Sequence, residues 1–233
     1  EDLCCTLAEA GYSVEWRVLD ARSYGTPQAR RRLFVLGFRD GRPVRWDRGA
    51  DPGQAPTVWD AIGDLPVVTH GHRQEVMPYA ARSDSEYARQ AREGAGTVLW
   101  NHMTYRHNQQ DLEAFAWLPE GGTYRDLPAH LRRYRLDTFP DKYRKLYRDR
   151  PSWTLVAHLD RDAFRYIYPS RPDGPEPPRT ISVREAARLQ GFPDRFRFTG
   201  GLCASFRQVG NAVPPPLARA IARSILMAGE SCQ

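Results

Sequence analysis

No apolar run in the 233-residue chain comes near the roughly eighteen residues of a membrane-spanning helix, and no basic-plus-apolar leader opens it. Neither a membrane span nor a signal peptide is therefore expected, and a cytoplasmic setting is. Cysteine is scarce, at Cys4, Cys5, Cys203 and Cys232. No Cys-x-x-Cys pair and no Cys/His ligand spacing occurs, so neither a zinc site nor a disulfide framework is expected. Internal repeats are missing. Lysine occurs only at Lys142 and Lys145, so the net charge of +6 is carried mostly by arginine. The planar fork of arginine pairs bidentately with phosphate or guanine. Composition alone fits a nucleic-acid partner, and it also fits a basic protein without one. The first residue is Glu1, and the amphipathic pattern starts at once, as expected of a piece of a longer protein.

What is present is a series of short periodic stretches joined by loops, in keeping with 19 prolines and 18 glycines. Leu3, Leu7 and Ala10 form a helical stripe that Gly11 ends. Val14, Trp16 and Val18 alternate with Ser13, Glu15 and Arg17, the pattern of a half-buried strand. Leu33 to Phe38 is continuously apolar and reads as a strand buried on both faces. The segment from Asp20 to Arg32 between them is too long for a tight hairpin. Within it Gln28, Arg30 and Arg32 alternate, which in extended backbone puts all three side chains on one face. Two readings fit that spacing: a donor-rich pocket for a carbonyl, phosphate or carboxylate, or a basic lead-in to a strand held in water.

Thr57 to Leu65 reads as a short helix with Val58, Ile62 and Leu65 on one face. Tyr79 to Arg92 reads as partly helical, and Asn101 to Asn108 as a hydrogen-bonding loop rather than a metal site. Leu131 to Arg150 is the most basic stretch, interleaving cations with Tyr134, Phe139, Tyr143 and Tyr147. On a helix Tyr143 and Tyr147 would share a face, as core. Arg132, Arg133, Arg135 and Arg144 are then candidates for phosphate contact, although a solvated charged face has the same composition. Pro151 to His158 and Phe164 to Pro169 read as partner strands about a turn at Leu159 to Ala163.

The chain closes on RTISVREAARLQGFPDRFRFTGGLCASFRQVGNAVPPPLARAIA, Arg179 to Ala222. Ser182 and Glu185 form a capping box that starts a helix running to about Gln190, with Gly191 as left-handed cap and Pro193 as stop. A second helix is expected from Pro216, with Leu217, Ile221 and Ile225 as a buried stripe. Gly210 to Pro214 reads as a tight turn between the two helices. REAARLQGFPDRFRF followed by RQVGNAVPPPLA resembles the last two motifs of cytosine-5 DNA methyltransferases. DARSYGTPQARRRLFVLGFR resembles the eighth motif of that family, with its Q-x-R-x-R core intact. Thr154-Leu155 resembles the short Thr-Leu mark of the family's target-recognition domain.

The resemblance implies an α/β fold, with a partial Rossmann-like methyltransferase sheet over 1–44 and a loop-rich mixed target-recognition domain over 45–178. Over 179–233 it implies the ninth and tenth motifs, the last helix returning to the catalytic domain. It implies methyl transfer from S-adenosylmethionine to C5 of a cytosine flipped from double-stranded DNA. Gln28, Arg30 and Arg32 would lie at the base, with Arg32 above all as its contact. Asn211 and Ala212 would close over the cofactor. Thr154 and Leu155, with Arg132, Arg133, Arg135 and Arg144, would face DNA. The family's nucleophile sits in a Pro-Cys motif and its assisting carboxylate in a Glu-Asn-Val motif. Neither occurs in this sequence, and the Gly-rich first motif is missing. Three accounts remain open: one part of an enzyme whose other half supplies the nucleophile, a DNA-binding module that has lost catalysis, or a basic interaction protein.

Overall fold

A computed structural model describes residues 2–80, 85–138, 141–171, 174 and 177–229. Helix α1 (Asp2–Glu9) precedes strand β1 (Ser13–Asp20), then β2 (Gln28–Ala29) and β3 (Arg31–Phe38). Helix α2 (Val58–Ile62), strand β4 (Val76–Pro78), helix α3 (Glu86–Arg92), strand β5 (Val98–Trp100) and helix α4 (Gln109–Trp117) follow. Strand β6 (Ser152–Trp153) and helices α5 (Val183–Gln190), α6 (Gly201–Asn211) and α7 (Pro215–Gly229) complete the chain. This is a mixed α/β architecture. Among the described residues, strand pairing is confined to antiparallel β1–β3 and β4–β5 and parallel β2–β6.

The long β1–β3 connection is built rather than slack. Asp20 accepts from the Arg22 amide to start a single 3-10 turn, and Gly25 ends it in the left-handed region. The chain then straightens into β2. On one face of β1–β3, Leu19 is buried with Ala21, Val44, Trp46 and Leu217, and Phe34, Leu36, Phe38 and Ile221 pack against them. The other face is open: Trp16 is 59% exposed, Val18 46% and Leu33 59%. So the expectation that Leu33 to Phe38 is buried on both faces is corrected, since no described element covers the Trp16 side. The stripe of α7 is corrected likewise. Leu217 is buried on β1–β3, Ile221 half-buried, and Ile225 is 45% exposed.

The main core joins Val58, Ile62 and Leu65 to Leu99, Leu155, Tyr166, Ile181, Val183, Leu189, Phe206 and Val209. It therefore runs across the expected boundary at residue 178, and α5 and α6 share a core with the loop-rich middle of the chain. Tyr143 is buried in a separate aromatic cluster with Phe115, Tyr124 and Leu127. The segment around it is extended rather than helical: Arg144 bridges Thr123 and Lys145 bridges Ile167. Tyr143 and Tyr147 therefore do not share a helical face. Nor do residues 151–158 and 164–169 form a strand pair; β6 pairs with β2, while Ile167 bridges Lys145 and Thr180. The hydrogen-bonding loop at Asn101–Asn108 is as read, with His102 buried between Ser182 Oγ (2.7 Å) and the Pro66 carbonyl (2.8 Å). Phe139 and Cys232 lie outside the described residues.

Candidate functional site

Helix α5 is the platform of the site. Its capping box is formed as read, Ser182 Oγ accepting from the Glu185 amide (3.0 Å) and the Glu185 carboxylate from the Ser182 amide (2.6 Å). Gly191 ends it at φ 92°. Every residue from Val183 to Gln190 is buried, the charged Arg184, Glu185 and Arg188 included. Arg179 pairs with both Glu185 oxygens at 2.8 Å, and Arg188 with Asp194 (2.6 Å) and Asp64 (2.5 Å). Arg184 donates to the carbonyls of Trp100, Pro193 and Phe196. Charges so deeply buried stand only because each guanidinium meets carboxylates or carbonyls.

Gln28, at the start of β2, is wholly buried against this helix. Its Nε2 donates to the Leu189 carbonyl (3.1 Å) and Gln190 Oε1 (2.5 Å), and its Oε1 accepts from the Leu155 amide (2.9 Å). Arg30 is buried as well. It donates to the carbonyls of Leu155 (2.7 Å) and Gly210 (3.4 Å). Burial, with the neighbouring Arg32 charge adding to it, pulls the Arg30 guanidinium down to about 10. Arg32 differs: it is exposed and donates only to the carbonyl of Arg31. The alternating spacing thus does not make one pocket of three side chains. Gln28 and Arg30 turn inward as struts, and Arg32 alone is free to meet a ligand.

The turn at Gly210 to Pro214 is also corrected. Gly210 and Asn211 are the last residues of α6, a helix absent from the sequence reading, and Ala212 caps it. Gly210 is needed for contact, since a Cβ there would lie 2.3 Å from the Val156 carbonyl. The Ala212 carbonyl accepts from Gln190 Nε2 (2.6 Å). Asn211 is exposed; its Nδ2 donates to the Arg207 carbonyl (2.9 Å), and its Oδ1 makes no hydrogen bond. Val213 beside it is 48% exposed.

The expected DNA-facing residues separate in the same way. Leu155 is fully buried and its amide and carbonyl are held by Gln28 and Arg30, so its side chain cannot face DNA. Thr154 Oγ1 donates to the Ala29 carbonyl (2.6 Å). Arg133 pairs with Asp111 (3.1 Å), Arg135 with Asp137 (2.7 Å), and Arg132 donates to the Arg125 carbonyl. Arg144 has no such partner; its guanidinium lies 3.7 Å over the Trp153 ring. Among the described residues no cluster of His, Cys, Asp and Glu could hold a metal, and no helix is long and apolar enough to cross a membrane.

Comparison with known proteins decides the family. The model of the C-5 cytosine-specific DNA methylases matches residues 1–227. The chain belongs to that family. M.OihORF3336P of Oceanobacillus iheyensis is 32% identical over 299 residues, covering 97% of this chain and 64% of the relative. Type II methyltransferase M.AgeI of Thalassovita gelatinovora is also 32% identical, over 97% of this chain and 69% of its own length. The chain thus spans about two thirds of these relatives. In fold it is similar to an E. coli prophage protein described as a "putative DNA modification methyltransferase", with a TM-score of 0.72, 22% identity, and 99% of this chain matched to 64% of that one.

Three working residues of this methylase-family chain escaped the sequence reading. Gln190 bridges Gln28 to Ala212; Tyr166 ties the Thr154 carbonyl (2.7 Å) and Val156 amide (3.0 Å). Trp153 is the third, as the seat of Arg144. Their partners lie beyond the reach of a helical or strand repeat, so no local periodicity announces them.

Proposed function

We propose that this chain is the C-terminal portion of a DNA (cytosine-5-)-methyltransferase, acting on a cytosine flipped out of a specific DNA sequence. In this reading residues 1–44 supply strands of a Rossmann-like catalytic sheet, α7 returns to that domain, 45–178 carry target recognition, and the ninth motif in α5 joins the two. The observation that carries it is the division of labour in the Q-x-R-x-R segment. Gln28 and Arg30 hold the strand to α5, Leu155 and Gly210, which leaves Arg32, the residue that the resemblance assigns to the base, exposed and outside that packing. Arg32 would donate hydrogen bonds to the flipped base and hold it against its return to the stack.

S-adenosylmethionine supplies the methyl group when bound. The residues at the end of α6 fit one wall of its site: Asn211 offers an uncommitted carbonyl oxygen and Val213 an exposed apolar surface, on a turn that Gln190 pins. No thiolate of a Pro-Cys motif and no Glu-Asn-Val carboxylate is present. The nucleophile then comes from an N-terminal half, in the same or a separate polypeptide. Support for such a partner is the open apolar face of Trp16, Val18 and Leu33.

The test is co-expression of the chain with a candidate N-terminal half carrying Pro-Cys and Glu-Asn-Val, followed by transfer of labelled methyl to cytosine-containing duplex. Activity is expected from the pair and none from the chain alone. Methyl transfer by the isolated chain would sink the proposal.

A further inference from the structure

The cations of the recognition region differ in what they are already doing. Arg133 and Arg135 are neutralised by Asp111 and Asp137, Arg165 by Asp141, and Lys145 is buried on the carbonyls of Phe115 and Leu118. Arg144 is half-buried, yet no carboxylate or carbonyl meets its guanidinium, and its Nε is buried without a partner. What holds it is the ring of Trp153, with the guanidinium carbon 3.7 Å from the ring centroid. The ring is itself fixed. Its Nε1 donates to the Arg165 carbonyl (3.1 Å), and it stacks on Tyr166 at 6.2 Å and 29°. The backbone of Arg144 is locked too, its amide on the Phe164 carbonyl (3.1 Å) and its carbonyl on the Ile167 amide (3.0 Å).

A charge held rigid and left unneutralised is in the state in which binding an anion costs least ordering. The stack also has a definite address. Parallel pairing of β6 with β2 sets Trp153 opposite Ala29, so it lies beside the strand that leads within three residues to the exposed Arg31 and Arg32. We infer that Arg144, seated on Trp153, is a preformed contact for one backbone phosphate of duplex DNA beside the flipped base. The inference rests on the reading of this chain as the DNA-binding part of the methyltransferase. Phosphate contacts set register and orientation without reading sequence, so this one positions the duplex over Arg32 and does not choose the site.

The experiment measures binding of the intact chain to a labelled duplex across a salt series. For each phosphate neutralised, the slope of log affinity against log salt is about 0.9. Arg144→Gln is expected to flatten the slope by about 0.9 and weaken binding roughly 3- to 10-fold at moderate salt. Arg144→Lys should restore the slope, and only part of the affinity, because an ammonium does not stack as a guanidinium does. Trp153→Leu should weaken binding with the slope retained; Trp153→Phe, which keeps a ring, should weaken it less. Arg89→Gln, an exposed helix cation paired with Glu86, serves as the control and should leave both quantities unchanged. Thermal melts of the variants separate folding from binding. Binding by the wild type with an Arg144→Gln slope equal to its own overturns this inference alone. Absence of any salt-dependent duplex binding by the wild type overturns the DNA-binding reading beneath it.

Discussion

At the scale of single residues, the joint between the end of α6 and the backbone at Val156 depends on what Gly210 lacks. The Val156 carbonyl would stand 2.3 Å from a Cβ at that position, and it is backbone, so it cannot swing aside. Gly210→Ala is therefore expected to lower stability by about 1–3 kcal/mol, as overpacking does, read as a shifted urea midpoint. A second residue-level prediction concerns His102. It is wholly buried, and that burial holds its pKa down to about 4, against an ordinary 6.5. A folded pKa below the unfolded one means that the unfolded chain protonates first as the solution is acidified. The stability contributed by neutral His102 is thus complete above about pH 6.5 and is lost progressively as pH falls toward 4. His107, also buried and also held to about 4, works in the same direction. In His102→Gln the loss of stability between pH 7 and pH 5 should be smaller than in the parent chain. An equal loss in both would show that His102 is not a source of that pH dependence.

At the scale of elements, α5 shows what was legible and what was not. Its start, its end and both caps follow from Ser182, Glu185, Gly191 and Pro193, because capping is chemistry between near neighbours. The short helix expected over Thr57 to Leu65 was legible from its apolar face; it is formed at Val58–Ile62, shorter than expected, with a Thr57–Asp60 capping box. That Arg184 and Arg188 point into the core was not legible, since two arginines in a helix ordinarily mark its wet face. Their partners at Asp64, Trp100 and Asp194 are brought in by tertiary structure. Helix α6 was missed because Gly200 and Gly201 open it without a side-chain cap and Gly210 lies in its last turn. Its stability comes from burying Leu202, Phe206 and Val209. Arg188→Met removes the cation between two buried carboxylates. Asp64 keeps Arg92 (2.5 Å) and Asp194 keeps Tyr79 (2.8 Å), so the cost should fall near the low end of the roughly 3–5 kcal/mol of a broken buried pair. Chemical denaturation of the variant measures it.

At the scale of the whole molecule, the stripe of α7 is not the main apolar surface left open, because this chain already covers its first part. Leu217 of α7 is satisfied by Leu19, Val44 and Trp46 of this same chain. The uncovered apolar surface is the far side of β1–β3, where the pair Val18–Leu33 stands beside Trp16–Val35 in register. Periodicity could identify that row as apolar but not say which of the two sheet faces α7 would cover, since both carry alternating hydrophobic side chains. Apolar surface left open in this way favours association, so the isolated chain should self-associate as its concentration rises. Trp16→Lys combined with Leu33→Lys should shift it toward monomer in sedimentation. The proposed pairing with an N-terminal half adds a second requirement: the same double variant should lose co-purification with that half, while keeping its far-ultraviolet circular dichroism. A chain that is monomeric at all concentrations and still captures the half after both substitutions would place the joining surface elsewhere on the molecule.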